Sequence, residues 1–161
     1  MHSFEMEIRS SNQEEREVEG VSVPWDQVID VGGYKERFQR GSIHDVASTK
    51  LFWQHDQIIG HVVEGRETDE GYWIKAKIAE TTLGNDALAL LRAGSISKMS
   101  VGFVPVEETR DEDVTVRTKV NLKEVSLVAF PAYEGATVTA VRESNNMEEN
   151  MSNDTNEIAP E

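Results

Sequence analysis

The sequence contains no cysteine among its 161 residues. This absence excludes a disulfide framework, zinc sites with cysteine ligands and thiol nucleophiles, so any covalent catalysis would fall to serine, threonine or lysine. The chain also lacks an apolar run approaching the roughly 18 residues of a membrane span, and its N-terminal residues lack a basic stretch followed by an apolar segment. We therefore predict a soluble, cytosolic protein that makes no contact with a membrane.

Basic residues are few, since sixteen Lys and Arg stand against thirty Asp and Glu, for a formal net charge of −14. Such a surface repels the phosphates of DNA and RNA, so nucleic acid is not an expected partner. No two histidines lie three or four residues apart, as helical metal ligands do, and we predict neither a metal site nor a cofactor.

The C-terminal end differs in composition from the rest of the chain. Residues 143–161 hold six acidic and no basic side chains, with few apolar ones between them. A segment of this kind buries too little apolar surface to fold alone. We predict one domain over residues 1–142, folded from about residue 3, and an acidic, disordered tail over residues 143–161.

Two periodicities appear within the domain. Alternation of apolar and polar residues predicts strands over residues 72–78, 99–106, 113–120 and 122–129. Residues 81–93 instead carry apolar side chains at helical spacing, with a threonine that can cap the start and Gly94 at the end. Many short strands with one or two helices indicate a mainly β or α+β fold, arranged as a small closed or rolled β-barrel.

The segment SISKMSVGFVPV, residues 95–106, contains a candidate nucleophile. Ser100 and Gly102 would share one face of this strand, with apolar side chains on the other. A serine nucleophile needs an exposed Oγ, no bulky neighbour on the substrate side and main-chain N–H groups near the developing oxyanion. Ser97 is a competing nucleophile, and Ser100 could instead be a small buried residue that is hydrogen-bonded to the sheet.

The segment LFWQHD, residues 51–56, contains a candidate general base. Period-two alternation would place Leu51, Trp53 and His55 on one face of a strand, with His55 at its end. Histidine can accept the proton of a serine and return it to a leaving amine near neutral pH. The structural alternative is a histidine satisfied by a backbone carbonyl.

The segment LKEVSLVAFP, residues 122–131, contains a candidate for the acidic third member. Glu124 would share a strand face with apolar Leu122, an unusual place for a carboxylate unless it meets a partner. It could orient the imidazole and stabilise the imidazolium that forms. Asp56 is a rival orienter, and Glu124 could instead be solvated or paired with Lys123 or Arg117.

These blocks occur in the order His, Ser, acid, with the predicted helix between the first two. Together with the upstream stretch EGVSVPWDQVIDVGGYKERFQRGSI and the continuation to LKEVSLVAFPAYEGA, they resemble the prohead serine protease family of tailed bacteriophages over about residues 17–142. The resemblance also implies a short aromatic helix within residues 34–41.

The resemblance implies a barrel-like fold related to the herpesvirus assembly proteases. It implies an endopeptidase that acts inside the assembling prohead in the host cytoplasm, cuts the major capsid or scaffold protein, trims itself and could form a homodimer. Carried over to this sequence, the nucleophile is Ser100, the base is His55 and the third residue is Glu124, where the herpesvirus enzymes use a second histidine.

Two other functions remain open from the sequence. A capsid-assembly scaffolding module of the same fold would keep these side chains for packing alone. A small β-barrel that binds a ligand or peptide, unrelated to phages, would match the blocks by chance. Self-cleavage on storage, abolished by Ser100→Ala, would distinguish the protease from the scaffolding module.

Overall fold

The computed structural model describes residues 10–11, 16–130, 133, 135–136 and 138–144. The described residues form ten strands and one α-helix. They are β1 (Ser10–Ser11), β2 (Glu17–Pro24), β3 (Ile29–Asp30), β4 (Lys35–Phe38), β5 (Lys50–Trp53), β6 (Gln57–Glu67), β7 (Gly71–Ile78), α1 (Thr82–Arg92), β8 (Lys98–Asp111), β9 (Val114–Val128) and β10 (Val138–Ser144). The predicted mainly β class is confirmed.

The ten strands belong to one open, mixed sheet, in the order β1-β10-β2-β7-β6-β5-β9-β4-β3, with β8 paired to β9. The predicted closed barrel is therefore wrong. Closure would need a strand on the other edge of β8, and among the described residues β8 pairs with β9 alone. Two backbone hydrogen bonds, Met99 N–H to Ala136 O and Val138 N–H to Ser97 O, join the start of β8 to the approach to β10 without making a strand pair.

Strand β9 organises the part of the sheet that carries the candidate residues. It pairs with β8 along its length, and its other edge takes two parallel neighbours in turn, β4 near its start and β5 near its end. The predicted strands at 113–120 and 122–129 are thus one strand, and the strand at 99–106 is part of the longer β8. Bulges between β8 and β9 interrupt the alternation of apolar and polar residues, and these interruptions suggested shorter, separate strands.

Helix α1 confirms the prediction for residues 81–93. Thr81 is the N-cap, and its Oγ1 accepts a hydrogen bond of 2.9 Å from the N–H of Gly84, which satisfies one of the free donors at the helix start. Gly94 adopts a left-handed φ of 74° after the helix. Ala87 and Leu91 are buried in the core.

The short aromatic helix implied for residues 34–41 is wrong, because that segment contains strand β4. Its alternating burial fits a strand, with Phe38 and Glu36 inward, and it pairs in parallel with residues 114–117 of β9. The buried Glu36 is compatible with this place because Arg117 of β9 donates two hydrogen bonds to it, of 2.9 and 3.0 Å.

A polar cluster around Glu36 links β4, β8 and β9 to the segment before β10. Arg117 also donates to Glu108 of β8, and the hydroxyl of Tyr133 donates to Glu36 over 3.2 Å. Burial, together with the negative charge of Glu36, raises the pKa of Tyr133 far above its ordinary value. This network gives Arg117 acidic partners other than Glu124.

Candidate active site

His55 lies in the tight turn between β5 and β6. The predicted continuation of the strand to residue 55 is wrong, because β5 ends at Trp53 and both Gln54 and His55 have left-handed φ values, of 50° and 58°. The N–H of Asp56 donates to the carbonyl of Trp53 over 3.0 Å, which closes the turn. Positive φ at both central residues is the pattern of a type I′ turn, where glycine or asparagine is usual. The turn lifts the imidazole out of the line of the strand.

The imidazole meets the carboxylate of Glu124. His55 Nδ1 makes a short hydrogen bond with Glu124 Oε1. The His55 side chain is 42% exposed and that of Glu124 only 20%. Of the two carboxylates considered from the sequence, Glu124 is the one that contacts the ring. With Nδ1 engaged, Nε2 is the ring nitrogen left to exchange a proton with another group.

A bulge at Lys123 sets the face on which Glu124 lies. Gly102 pairs with Glu124, whereas Phe103, the next residue of β8, pairs with Leu122, so Lys123 is the extra residue. Leu122 is therefore directed into the core, where it is 2% exposed, while Glu124 meets the histidine on the other face. The predicted shared face of Leu122 and Glu124 is wrong for this reason.

Gly102 lies directly across from Glu124, and the two are in close contact. A Cβ at position 102 would lie 2.6 Å from Glu124 Cγ and 2.9 Å from Cδ. Contacts under 3.0 Å do not occur for real Cβ atoms, so any other residue here would displace the acid. The sequence suggested that this glycine clears room for a substrate. The structure shows that it clears room for Glu124.

Ser126 of β9 supports the His55 turn through a hydrogen bond to its main chain. Its fully buried hydroxyl accepts a 2.8 Å hydrogen bond from the backbone N–H of His55 and lies 3.4 Å from the carbonyl oxygen of Phe52, to which it can donate. Sequence reasoning gave Ser126 no role. A signal was present, because a hydroxyl inside the apolar run VSLV must find a hydrogen-bond partner once buried.

Ser100 occupies the same face as the His55–Glu124 pair. It pairs with Ser126 and lies two residues along β8 from Gly102, the partner of Glu124. Directly paired residues share a face, and a two-residue step along a strand is about 7 Å, a gap that an imidazole can bridge. Ser97 lies five residues from Gly102, about 17 Å along the chain. The register therefore favours Ser100 over Ser97.

The strand pairings place Ser100 on the side of β8 and β9 where His55, in the β5–β6 turn, meets Glu124. A carboxylate on Nδ1 fixes the orientation and tautomer of the ring, which leaves Nε2 as the nitrogen that can exchange a proton. The profile of one protein family, described as caudovirus prohead serine protease, matches residues 3–151. The chain belongs to this family.

Membership of the prohead serine protease family confirms the resemblance seen in the sequence. The match extends from residue 3 to residue 151, beyond the range of about 17–142 that the motifs covered. No curated protein matches the chain significantly. The further likeness to herpesvirus assembly proteases stays a prediction.

Two further findings concern the C-terminal end of the domain and the character of its helix. Strand β10 ends at Ser144, two residues after the predicted domain boundary, and the rest of the acidic tail, residues 145–161, lies outside the described residues. Within the described part of the chain, no helix has the length and apolar character needed to cross a bilayer.

Proposed function

We propose that this prohead protease is a serine endopeptidase in which Ser100 is the nucleophile, His55 the general base and Glu124 the residue that orients His55. The observation that carries the proposal is the hydrogen bond between His55 Nδ1 and Glu124, formed on the face of β9 that Ser100 shares. A packing role alone gives no reason to hold a 42% exposed histidine in a left-handed turn against a carboxylate.

The proposed reaction follows from the order of these groups. Ser100 Oγ attacks the scissile carbonyl carbon while His55 Nε2 takes its proton, and main-chain N–H groups bind the oxyanion. The imidazolium, stabilised by Glu124, then protonates the leaving amine, and the C–N bond breaks. Water attacks the acyl-enzyme with His55 again as base, which releases the carboxylic acid and restores Ser100.

The family points to proteins of the capsid as substrates. We propose that the enzyme cuts the scaffold or major capsid protein inside the assembling prohead and that it also cuts itself. The formal charge of −14 disfavours binding to the packaged nucleic acid, so the substrates would be recognised as proteins.

A digestive activity of this kind must wait for assembly, and high local concentration inside the prohead is the proposed trigger. Equal specific activity in dilute and concentrated solution would contradict the trigger.

The test is co-expression with the capsid and scaffold proteins of the same phage, followed by intact-mass analysis. Wild type should yield defined truncations, and Ser100→Ala and His55→Ala should leave both substrates whole. Since the residual rate without a triad member is lower by several orders of magnitude, a modest decrease would not support the proposal. Whole substrates with a folded wild-type protein would favour the scaffolding module instead.

A further inference from the structure

Ser126 is a buried polar residue in direct contact with the main chain of the His55 turn. Its side chain is completely inaccessible, at 0% exposure, so it cannot meet a substrate. Its hydroxyl is placed between two main-chain groups of the β5–β6 hairpin, the His55 N–H and the Phe52 carbonyl. A single side chain of β9 therefore contacts the main chain of the neighbouring hairpin both before and after Trp53.

The turn needs such a support because its conformation is unfavourable for its residues. Gln54 and His55 both have a left-handed φ, a region that residues with a Cβ rarely adopt and that persists only where surrounding contacts impose it. Two hydrogen bonds from β9 impose it here. The N–H of Gln54 donates to the carbonyl of Leu127 over 3.0 Å, and the N–H of His55 donates to Ser126 Oγ.

The Ser126 bond acts on the residue whose position matters most. Ser126 pairs with Ser100 on one side and with Phe52 on the other. Its hydroxyl therefore fixes the position of the His55 turn relative to the strand that carries Ser100. A displacement of about 1 Å in a catalytic group can lower a rate about 100-fold. Among the described hydrogen bonds, two join residues of this turn to side chains of β9. One is the bond from the His55 N–H to Ser126, and the other is the bond between His55 Nδ1 and Glu124.

We propose that Ser126 is a positioning residue for His55, which holds the imidazole at the height where Nδ1 meets Glu124 and Nε2 faces Ser100. The proposal rests on the proposed function for its effect on the reaction, while its effect on His55 can be measured separately. Ser126 takes no part in the chemistry.

The test compares Ser126→Ala with a matched variant, Ser22→Ala. Ser22 is 1% exposed in β2 and donates a 2.9 Å hydrogen bond to the carbonyl of Tyr72, so it is also a buried strand serine bonded to main chain. It lies three strands from β5 in the sheet. Ser126→Cys is the second variant, because a thiol fills the place that alanine would leave empty but accepts a hydrogen bond only weakly.

Two measurements are made on each folded variant. The first is the rate at which a fluorophosphonate probe labels Ser100. The second is the ¹⁵N resonance of His55 Nδ1, which reports its hydrogen bond to Glu124 whether or not the protein is an enzyme. We expect Ser126→Ala and Ser126→Cys to label 10- to 100-fold more slowly and to shift the Nδ1 resonance, and Ser22→Ala to match wild type in both.

The outcomes separate the two claims. A wild type that stays unlabelled at high protein concentration would refute the proposed function, and the Nδ1 resonance would still decide whether Ser126 positions His55. A wild-type resonance and labelling rate in both Ser126 variants would overturn the positioning role. An equal loss in Ser22→Ala would also overturn it, because the effect would then be a general consequence of removing a buried hydroxyl.

Discussion

Gly102 lies close against the Glu124 side chain in the candidate site. Because Gly102 has no Cβ, the Glu124 side chain can lie against β8 and contact the histidine. Since a Cβ would lie 2.6 Å from Glu124 Cγ, which is near the root of the side chain, no rotation of the carboxylate alone relieves the contact. The glycine is therefore part of the positioning of the acid.

Replacing Gly102 with alanine should reduce activity through Glu124. We expect Gly102→Ala to lower kcat/KM about 100-fold, because the acid must move away from His55 Nδ1. The measurement is a double-mutant cycle with Glu124→Gln, which keeps the shape of the acid and removes its charge. Gly102→Ala should have little further effect in the Glu124→Gln background. Equal losses in both backgrounds would instead support the view that Gly102 clears room for substrate.

The turn of the β5–β6 hairpin has a strained backbone and carries the proposed general base, His55. Its two left-handed residues each carry an unfavourable energy of about 1–2 kcal/mol relative to a glycine. Another left-handed residue, Glu112 with φ 54°, lies in the turn between β8 and β9, at the opposite end of those strands from Ser100. The two turns allow strain at the site to be compared with strain elsewhere.

Substituting glycine in each turn should separate stability from activity. We expect Gln54→Gly and Glu112→Gly each to raise the free energy of unfolding by about 1 kcal/mol, because glycine adopts positive φ without a Cβ clash. Gln54→Gly should also lower kcat several-fold, since it loosens the turn that carries His55, while Glu112→Gly should leave kcat unchanged. Urea denaturation and steady-state kinetics give both quantities. Full activity in Gln54→Gly would show that the turn needs no rigidity.

The same elements show how far the sequence could predict the structure. Periodicity located α1 and the strands, because burial of one face repeats at a fixed interval. It extended β5 to His55, since nothing in the letters Gln54 and His55 signals a left-handed turn that is normally made by glycine or asparagine. It also placed Leu122 with Glu124, because a bulge depends on pairing with a distant strand.

The catalytic candidates themselves came from the order of motifs. Ser100, His55 and Glu124 are each unremarkable alone, and their grouping depends on a parallel β5–β9 pair and an antiparallel β8–β9 pair. The β5–β9 pairing joins residues about 70 positions apart, as in the hydrogen bond between His55 and Glu124. Local propensity carries no information on such contacts, and only the family resemblance supplied it.

At the scale of the whole molecule, the buried cluster of Glu36, Arg117 and Tyr133 links β4 and β9 to the segment before β10. Tyr133 must stay protonated in the folded state, because burial and the neighbouring Glu36 raise its pKa. In the unfolded chain a tyrosine loses its proton near pH 10. Above that pH the unfolded state releases a proton that the folded state retains. The contribution of Tyr133 to the free energy of unfolding is therefore present below about pH 10 and is lost as the pH rises further.

Alkaline unfolding should report this cluster. We expect the free energy of unfolding to fall above pH 10 by about 1.4 kcal/mol per pH unit for each such tyrosine. Tyr133→Phe should reduce that slope and lower stability at neutral pH by about 1 kcal/mol through the lost hydrogen bond to Glu36. An unchanged slope in Tyr133→Phe would contradict this role.

The most direct test of the proposed activity is to label the protein with a fluorophosphonate probe and to locate the adduct by peptide mass spectrometry. The proposed triad predicts one adduct, on Ser100, that forms at least about 100-fold more slowly in His55→Ala. An adduct on Ser97, or labelling of Ser100 that does not depend on His55, would contradict the assignment. A folded protein that takes no label even at high protein concentration would contradict the proposal that it is a serine protease.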